Sequence, residues 1–150
     1  SVDIDDTLIR SKDSTPIKCM IDLVKDMRKR GMKIAIITAR PDGKNQVSWT
    51  KDQLEEHGIP FDKLVLMPRH ERRSHNWDDA VGVYKERERM NLVRDGGKLV
   101  LTLGDGPGDH QPRSKYEYLK KKYFPHKSKE DRFVYFSDNI LSAKMPCVYN

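Results

Sequence analysis

The 150-residue sequence contains little of what a cross-linked or membrane-embedded protein requires. It has two cysteines, Cys19 and Cys147, which lie far apart and form no Cys-x-x-Cys pair. This arrangement indicates neither a zinc knuckle nor a disulfide framework, and it favours a reducing compartment such as the cytoplasm. No apolar run approaches the roughly 20 residues that a helix needs to cross a bilayer, so we expect no membrane span.

Charged residues, in contrast, are abundant. They make up 35% of the sequence against 36% hydrophobic residues, and the net charge is +6. The positive charge favours anionic partners such as phosphates or nucleic acid. The length predicts a single domain over residues 1–150. Because only Ser1 and Val2 precede the first acidic cluster, we expect the first strand to be truncated and any signal peptide to lie outside the sequence.

Apolar patterns typical of helices and strands alternate along the chain. Thr15 and Pro16 indicate a helix start, and apolar residues then repeat at helical spacing until Gly31. Further helices are expected at residues 46–57, from residue 78 or 79 to 94, and at 112–123. Strands are expected at residues 32–38, 63–67, 98–103 and 132–136. This alternation predicts an α/β fold with a doubly wound parallel sheet between two layers of helices.

Polar groups follow three of the expected strands, where ligands bind in folds of this kind. The first group is the acidic cluster "DIDDT" at residues 3–7, the second is Thr38, and the third is "GDGPGD" at residues 104–109. In an extended chain Asp3 and Asp5 point to the same side. We therefore expect the three groups to meet at one edge of the sheet.

The acidic cluster has two interpretations. A helix-loop-helix calcium site is excluded, because it needs a glycine at its sixth position and a glutamate at its twelfth, where this sequence has Leu8 and Ser14. An acidic turn in which Asp6 or Thr7 caps a helix is one remaining alternative. The other is a magnesium site, in which carboxylate oxygens hold the cation and a substrate phosphate supplies further ligands.

The second acidic group favours the metal interpretation. Alone, "GDGPGD" is typical of a Gly-Pro turn, and its spacing and acidic charge exclude a dinucleotide fingerprint. Two acidic loops at neighbouring strand ends would repel each other without a metal between them. Thr38 offers a hydroxyl and nearby backbone N–H groups for a phosphate. Lys85, on a polar helix, gains interest as a charge partner for the carboxylates.

These four pieces, in this order, resemble the motifs of the haloacid dehalogenase (HAD) superfamily of phosphotransferases. The first motif, Asp-x-Asp-x-Thr, matches Asp3, Asp5 and Thr7. The second matches Thr38 and the third matches Lys85, whereas Lys98 competes poorly because it begins a strand. The fourth, Gly-Asp-x-x-x-Asp, matches Gly104, Asp105 and Asp109. The resemblance extends over nearly the whole chain.

The resemblance implies a role for each of these residues. Asp3 would attack phosphorus and form an aspartyl phosphate, while Asp5 would protonate the leaving group and then activate water. Mg²⁺ would be held by the carboxylates of Asp3, Asp105 and Asp109 and by the backbone carbonyl of Asp5. The substrate-binding set would be Thr38, Ala39, Arg40 and Lys85.

Two branches of the superfamily fit the sequence. "YKERER" with "LGDGPGD" resembles the class B and class C acid phosphatases (subfamily IIIB), which act on nucleotides and other phosphomonoesters. The stretch from "TARPDG" to "LVLMPR" is also similar to the 3′-phosphatase domains of polynucleotide kinases, although their fourth motif differs. The short segments between motifs imply a capless or minimally capped enzyme. A catalytically idle binding or storage module with the same fold is a third alternative.

Two features at the expected site mouth bear on the substrate. The basic segments "PRHERRSH" and "KKKYFPHKSK" could guide a nucleic acid backbone, with solvated loops as the competing explanation. Trp49 and Trp77 could stack on a base, although a core or helix-surface role is favoured for Trp49. The sequence therefore leaves open whether the phosphomonoester substrate is a nucleotide or a nucleic acid end.

Overall fold

The computed structural model describes residues 1–73, 76–106, 109, 134–137 and 140–144, with backbone only for residues 78, 134–137 and 140–144. Its helices are α1 Lys18–Lys29, α2 Lys44–Glu56 and α3 Trp77–Arg94, with a 3₁₀ turn at Glu71–Arg73. Its strands are β1 Ala35–Pro41, β2 Lys63–Met67, β3 Leu101–Gly104, β4 Val134–Ser137 and β5 Ile140–Lys144. The order of elements gives the predicted βα alternation.

The N-terminal segment lies between β1 and β3. Val2 forms parallel bridges with Ile36 of β1 and with Leu103 of β3. The Ile37 N–H donates to the Val2 carbonyl at 3.0 Å, and the Asp3 N–H donates to the Leu103 carbonyl at 3.0 Å. β2 pairs with the other side of β1, and β5 pairs with the other side of β3, both in parallel. Asp3 therefore leaves the middle of the sheet at its carboxyl edge.

Helix α1 buries the apolar face that its sequence predicts. The five residues of that face are all buried: Ile17, Met20, Ile21, Val24 and Met27. The helix begins at Lys18 rather than at Pro16, so the expected start is wrong by two residues. Pro16 instead forms an antiparallel bridge with Ile9, and the Ile17 N–H donates to the Leu8 carbonyl at 2.8 Å. Pairing with the preceding loop thus delays the helix.

Two apolar clusters each contain one of two consecutive residues of β1. Ile36 belongs to a cluster with residues of α1, Leu54 of α2 and Leu103 of β3. Ile37 belongs to a second cluster with Met67 of β2 and residues of α3. Successive strand residues point to opposite faces of a sheet, so the clusters lie on opposite sides of β1. The α/β class with parallel strands is confirmed. The three-layer arrangement stays a prediction, since the helix expected at 112–123 lies outside the described residues.

Several strand boundaries differ from those expected. β1 runs to Pro41 instead of ending at Thr38, with an irregular register after Thr38. β3 begins at Leu101 rather than residue 98, and the turn that ends α3 extends to Gly97, whose N–H donates to the Leu92 carbonyl at 3.0 Å. The strand expected at 63–67 is confirmed.

The helix boundaries also shift slightly. α2 begins at Lys44 rather than residue 46 and ends one residue before position 57, and α3 begins at Trp77. The 3₁₀ turn lies within the basic segment "PRHERRSH".

The far edge of the sheet departs from the all-parallel expectation. The final strand, expected at 132–136, is observed at Val134–Ser137, and it pairs antiparallel with β5. The sequence pattern does not predict β5, because "ILSAK" lacks a continuous run of β-branched or aromatic residues. Within the described part of the chain, no helix has the length and apolarity of a membrane span.

Candidate active site

The carboxyl ends of the central strands bring the acidic loops together. Immediately after Asp3 the chain turns back on itself. The Ile4 carbonyl accepts from the backbone N–H groups of Leu8 at 2.8 Å and Ile9 at 3.0 Å. Asp6 has a positive φ of 57° in this turn, a conformation that Asp tolerates better than most residues. The tight turn leaves the carboxylates of Asp3 and Asp5 at the edge of the sheet.

Lys85 of α3 bridges two of the acidic residues. Its Nζ lies 2.5 Å from Oδ1 of Asp3 and also donates to Oδ1 of Asp109. All three residues are buried, and Lys85 is only 2% exposed. The polar sequence around Lys85 suggested a solvated helix face, but in the structure its side chain points toward the carboxylates of Asp3 and Asp109. Lys85 thus joins the first and fourth sequence motifs.

Asp3, Asp105 and Asp109 form a group that fits a divalent cation. One carboxylate oxygen from each lies within 4.8 Å of the others. Carboxylate oxygens are the hard ligands that Mg²⁺ prefers, and three carboxylates beside one ammonium leave excess negative charge. The side chain of Asp5, the fourth predicted metal residue, is not in this group and pairs with Arg40 instead. Ligation through its backbone carbonyl stays a prediction.

Burial without a metal perturbs the pKa values of this group. Burial, together with Asp109, raises the pKa of Asp3 to about 8 even though Lys85 opposes the shift. Burial and Asp109 raise the pKa of Asp105 to about 6. Burial alone would lower the pKa of Lys85, but the carboxylates of Asp3 and Asp109 outweigh it and raise that pKa. The cluster therefore binds protons strongly unless another cation replaces them.

Asp109 is fixed by three further contacts. Its Oδ2 accepts from the Gly106 N–H at 2.8 Å, and its carbonyl accepts from Arg89 Nη1 at 2.5 Å. Gly104 passes so close that an added Cβ would lie 2.5 Å from Cγ of Asp109. Sequence reasoning missed Arg89, although its position four residues after Lys85 places it on the same face of α3. Burial lowers the pKa of Arg89 to about 10, so it stays charged at neutral pH.

Arg40 links Asp5 to helix α2. Nη2 of Arg40 donates to Oδ1 of Asp5 at 2.6 Å, and Nε donates to Oδ2 at 3.0 Å. Nη1 donates to Oε1 of Gln53 at 2.8 Å, and Cζ lies 4.8 Å from the centroid of the Trp49 ring. Gln53 was not predicted, and the signal for it is its spacing of four residues from Trp49. Arg40 was expected to bind substrate. In the structure it forms an ion pair with Asp5, the second aspartate of the first motif.

The remaining predicted residues also lie at this edge. Thr38 is fully buried, and its Oγ1 accepts from the Arg40 N–H at 3.3 Å. Ala39 is partly buried between them. Thr7 is buried as well, and its hydroxyl has no hydrogen-bond partner among the described residues. Trp49 is 49% exposed, which excludes the core role and agrees with the helix-surface one.

The family comparison agrees with this geometry. The model of the family described as HAD superfamily, subfamily IIIB (Acid phosphatase), matches residues 5–139. The chain belongs to this family. The predicted resemblance to the subfamily IIIB acid phosphatases is therefore confirmed for the class B type. A comparison with curated proteins finds no match.

Family membership makes the protein an acid phosphatase that hydrolyses phosphomonoesters. HAD phosphatases generally use a divalent metal, and the carboxylate group of Asp3, Asp105 and Asp109 could bind one. Asp3 lies two residues before the matched range. Its assignment therefore depends on the motif that it shares with Asp5 and on its contact with Lys85.

Proposed function

We propose that this acid phosphatase is a Mg²⁺-dependent hydrolase that transfers the phosphoryl group to Asp3 and then to water, acting on nucleotides or other phosphomonoesters. The observation that carries the proposal is the buried contact between Lys85 and both Asp3 and Asp109, beside Asp105. A buried lysine between carboxylates at the carboxyl ends of central strands has the charge and position to bind the oxygens of a phosphoryl group that is transferred to a neighbouring carboxylate.

Asp3 is the nucleophile in this proposal. A carboxylate oxygen of Asp3 forms a bond to phosphorus as the bond to the ester oxygen breaks, and the product is an aspartyl phosphate. In the second step the oxygen of a water molecule attacks phosphorus, which releases inorganic phosphate and regenerates Asp3. Lys85 donates to the phosphoryl oxygens and balances the negative charge of Asp3 and Asp109.

Asp5 moves the protons. It protonates the departing ester oxygen in the first step and accepts a proton from the attacking water in the second. Its carboxylate is 40% exposed, so substrate and water can reach it while Arg40 fixes its position. Thr38 and the backbone N–H of Ala39 hold the remaining phosphoryl oxygens.

The proposed cation is held by Asp3, Asp105, Asp109 and the backbone carbonyl of Asp5. When bound, Mg²⁺ supplies positive charge that offsets the repulsion between the nucleophile and the anionic substrate. The raised pKa values of Asp3 and Asp105 support this assignment, because the single positive charge of Lys85 does not offset burial and the charge of the neighbouring carboxylates.

The segments around the site support a small or absent cap. Only ten residues separate Thr7 from α1, and Leu8, Ile9 and Ile17 among them are buried in the core. Among the described residues between β2 and α3, 68–73 and 76, the 3₁₀ turn is the one regular element. Side chains at the rim would then determine substrate preference.

The test is phosphate release from p-nitrophenyl phosphate with Mg²⁺, with a chelator, and by Asp3→Asn. We expect metal-dependent turnover that Asp3→Asn abolishes, and a phosphorylated Asp3 in acid-quenched enzyme analysed by mass spectrometry. A panel of 5′-nucleotides, 3′-nucleotides and 3′-phosphorylated oligonucleotides then identifies the substrate. Turnover that survives Asp3→Asn would refute the mechanism, and a folded protein inactive on the whole panel would support the idle binding module.

A further inference from the structure

We infer that a cavity between the ends of β1 and β2 and the start of α3 is a subsite for a second phosphate group of the substrate. This inference rests on the proposed function, because the second phosphate belongs to the leaving group of a phosphomonoester that reacts at Asp3. The substrates concerned carry two phosphate groups separated by a spacer, as in an alkanediol bisphosphate or a nucleoside bisphosphate.

The first observation is the place of the cavity beside the active site. It has a volume of about 410 Å³, and the described residues that line it are Pro41, Arg69, Arg72 and Trp77. Pro41 ends β1 and directly follows Arg40, the residue that binds Asp5. Trp77 begins α3 eight residues before Lys85, which corresponds to a rise of about 12 Å along the helix. The cavity therefore lies at the carboxyl edge of the sheet, on the order of 10 Å from the buried lysine.

The second observation is the unbalanced positive charge of the cavity. Neither Arg69 nor Arg72 forms an ion pair with another residue in the part of the chain that the structure describes. The acidic groups nearest to them in sequence have other partners. Glu71 pairs with Arg87 at 3.0 Å. Asp42 accepts from the backbone N–H of Arg69 at 3.2 Å. Two guanidinium groups without a counter-ion attract a phosphate dianion and offer its oxygens paired N–H donors.

The third observation is that neighbouring groups support both arginines. The guanidinium of Arg72 lies over the ring of Trp77, with Cζ 4.9 Å from the ring centroid. The guanidinium of Arg69 packs on Gly43, where an added Cβ would lie 2.8 Å from Cζ. Only a residue without a Cβ allows this close approach. The two planar groups are thus preorganised, so that less side-chain entropy is lost when they bind a phosphate.

The experiment compares kcat/KM for hexane-1,6-diol bisphosphate and hexyl phosphate, which share a spacer and differ in the second phosphate. We expect wild type to prefer the bisphosphate by about tenfold or more, beyond the statistical gain from its two equivalent phosphates. Arg69→Ala and Arg72→Ala should each remove most of this preference. Arg72→Lys should restore only part of it, because a lysine keeps the charge without the paired donors.

Arg73→Ala is the matched control. Arg73 is an exposed arginine of the same 3₁₀ turn as Arg72, but it is not among the residues that line the cavity. Its removal changes the net charge equally and should keep the preference for the bisphosphate. An equal loss in Arg73→Ala would overturn the inference, because general attraction by the positive surface would then explain the preference. A wild type without any preference would overturn it as well.

Spacer length distinguishes a second phosphate of the substrate from a free anion. Ethane-1,2-diol bisphosphate holds its phosphates too close together to reach both the arginines and Asp3. We therefore expect it to be hydrolysed with little preference over 2-hydroxyethyl phosphate. A preference that does not depend on spacer length would overturn the inference, since the arginines would then act on an anion that is not placed by the reacting phosphate, such as inorganic phosphate.

A binding measurement keeps this inference separate from the proposed function. Isothermal titration calorimetry compares hexane-1,6-diol bisphosphate with hexyl phosphate on Asp3→Asn, with and without Arg72→Ala. Tighter binding of the bisphosphate that Arg72→Ala removes would support the subsite, and equal affinities would refute it. If wild type hydrolyses neither compound, the proposed function fails and calorimetry alone decides the inference. If turnover survives Asp3→Asn, the mechanism fails and the kinetic preference still tests the subsite.

Discussion

Arg40 and Asp5 form a two-point ion pair, in which Nη2 lies 2.6 Å from Oδ1 and Nε lies 3.0 Å from Oδ2 of the carboxylate. The arginine is 8% exposed and the aspartate 40%, so the buried partner orients the accessible one. Two parallel hydrogen bonds fix both the position and the plane of a carboxylate. We therefore expect Arg40 to act on the reaction by positioning Asp5, the proposed proton donor.

Arg40→Ala is expected to lower kcat by about 10- to 100-fold on every substrate, because small displacements of a catalytic group have effects of that size. Arg40→Lys should recover little, since a lysine cannot replace the two-point contact. Steady-state kinetics with aryl and alkyl phosphates measure both. Arg30→Ala removes the exposed Arg30–Asp26 pair of α1 and serves as the control.

A double-mutant cycle tests whether Arg40 acts through Asp5. If it does, adding Arg40→Ala to Asp5→Asn lowers kcat much less than Arg40→Ala lowers it in wild type. Additive effects would contradict the positioning role and would assign Arg40 a separate contact with substrate.

The sequence predicts the fold class because its strongest local signals agree with one another. The apolar spacing of α1 and the short run "KLVLM" of β2 give a helix and a strand close to the observed ones. The central position of Val2 in the sheet could not be predicted from the neighbouring sequence, because it depends on pairing with β1 and β3. β5 could not be predicted because its short sequence is weakly apolar and its stability comes from the strands on either side.

The contacts of the candidate site could also be predicted only in part from the sequence. The order of the motifs predicts that Asp3, Lys85 and Asp109 meet, and the structure brings them together. The partner of Asp5 was not predictable, because Arg40 reaches it across 35 positions. The burial of Lys85 was not predictable from the local sequence either. The stretch "YKERER" has charged residues on every face of the helix, and only tertiary packing determines which charged side chain points into the core.

Lys85→Met is expected to destabilise the protein by about 3–5 kcal/mol in chelator, because it leaves buried carboxylates without their ammonium partner. Added Mg²⁺ should recover part of this loss by neutralising the same carboxylates. Denaturant unfolding with and without Mg²⁺ provides the measurement. The control, Lys63→Met, removes an exposed ion pair with Asp95 and should cost less than about 1 kcal/mol. An equally small effect of Lys85→Met would contradict the buried contact.

Gly104→Ala is expected to abolish most activity while leaving the protein folded. The added Cβ would collide with the side chain of Asp109 and lie 2.5 Å from its Cγ, so the carboxylate must move away from Lys85. We expect a fall in kcat of at least about 100-fold and weaker stabilisation by Mg²⁺. Activity assays and thermal unfolding with Mg²⁺ measure both. Full activity in Gly104→Ala would show that Asp109 is not needed in its observed position.

The stability of the metal-free protein is expected to fall as pH rises. Folding raises the pKa of Asp105 from 3.8 to about 6 and that of Asp3 from 3.8 to about 8. The folded state therefore binds more protons than the unfolded state between pH 4 and 8, and stability decreases as pH rises through this window. Since Mg²⁺ must displace the same protons, its stabilising effect should grow from pH 5 to pH 8.

Thermal unfolding from pH 5 to pH 8, in chelator and in excess Mg²⁺, measures both trends. Asp105→Asn removes one of the titrating groups and should flatten the chelator curve up to about pH 6, the region in which Asp105 loses its proton. At higher pH the remaining slope should belong to Asp3, and Asp3→Asn should remove it. A Mg²⁺ effect of constant size across this range would mean that the cation binds away from Asp3 and Asp105, which would refute the proposed metal site.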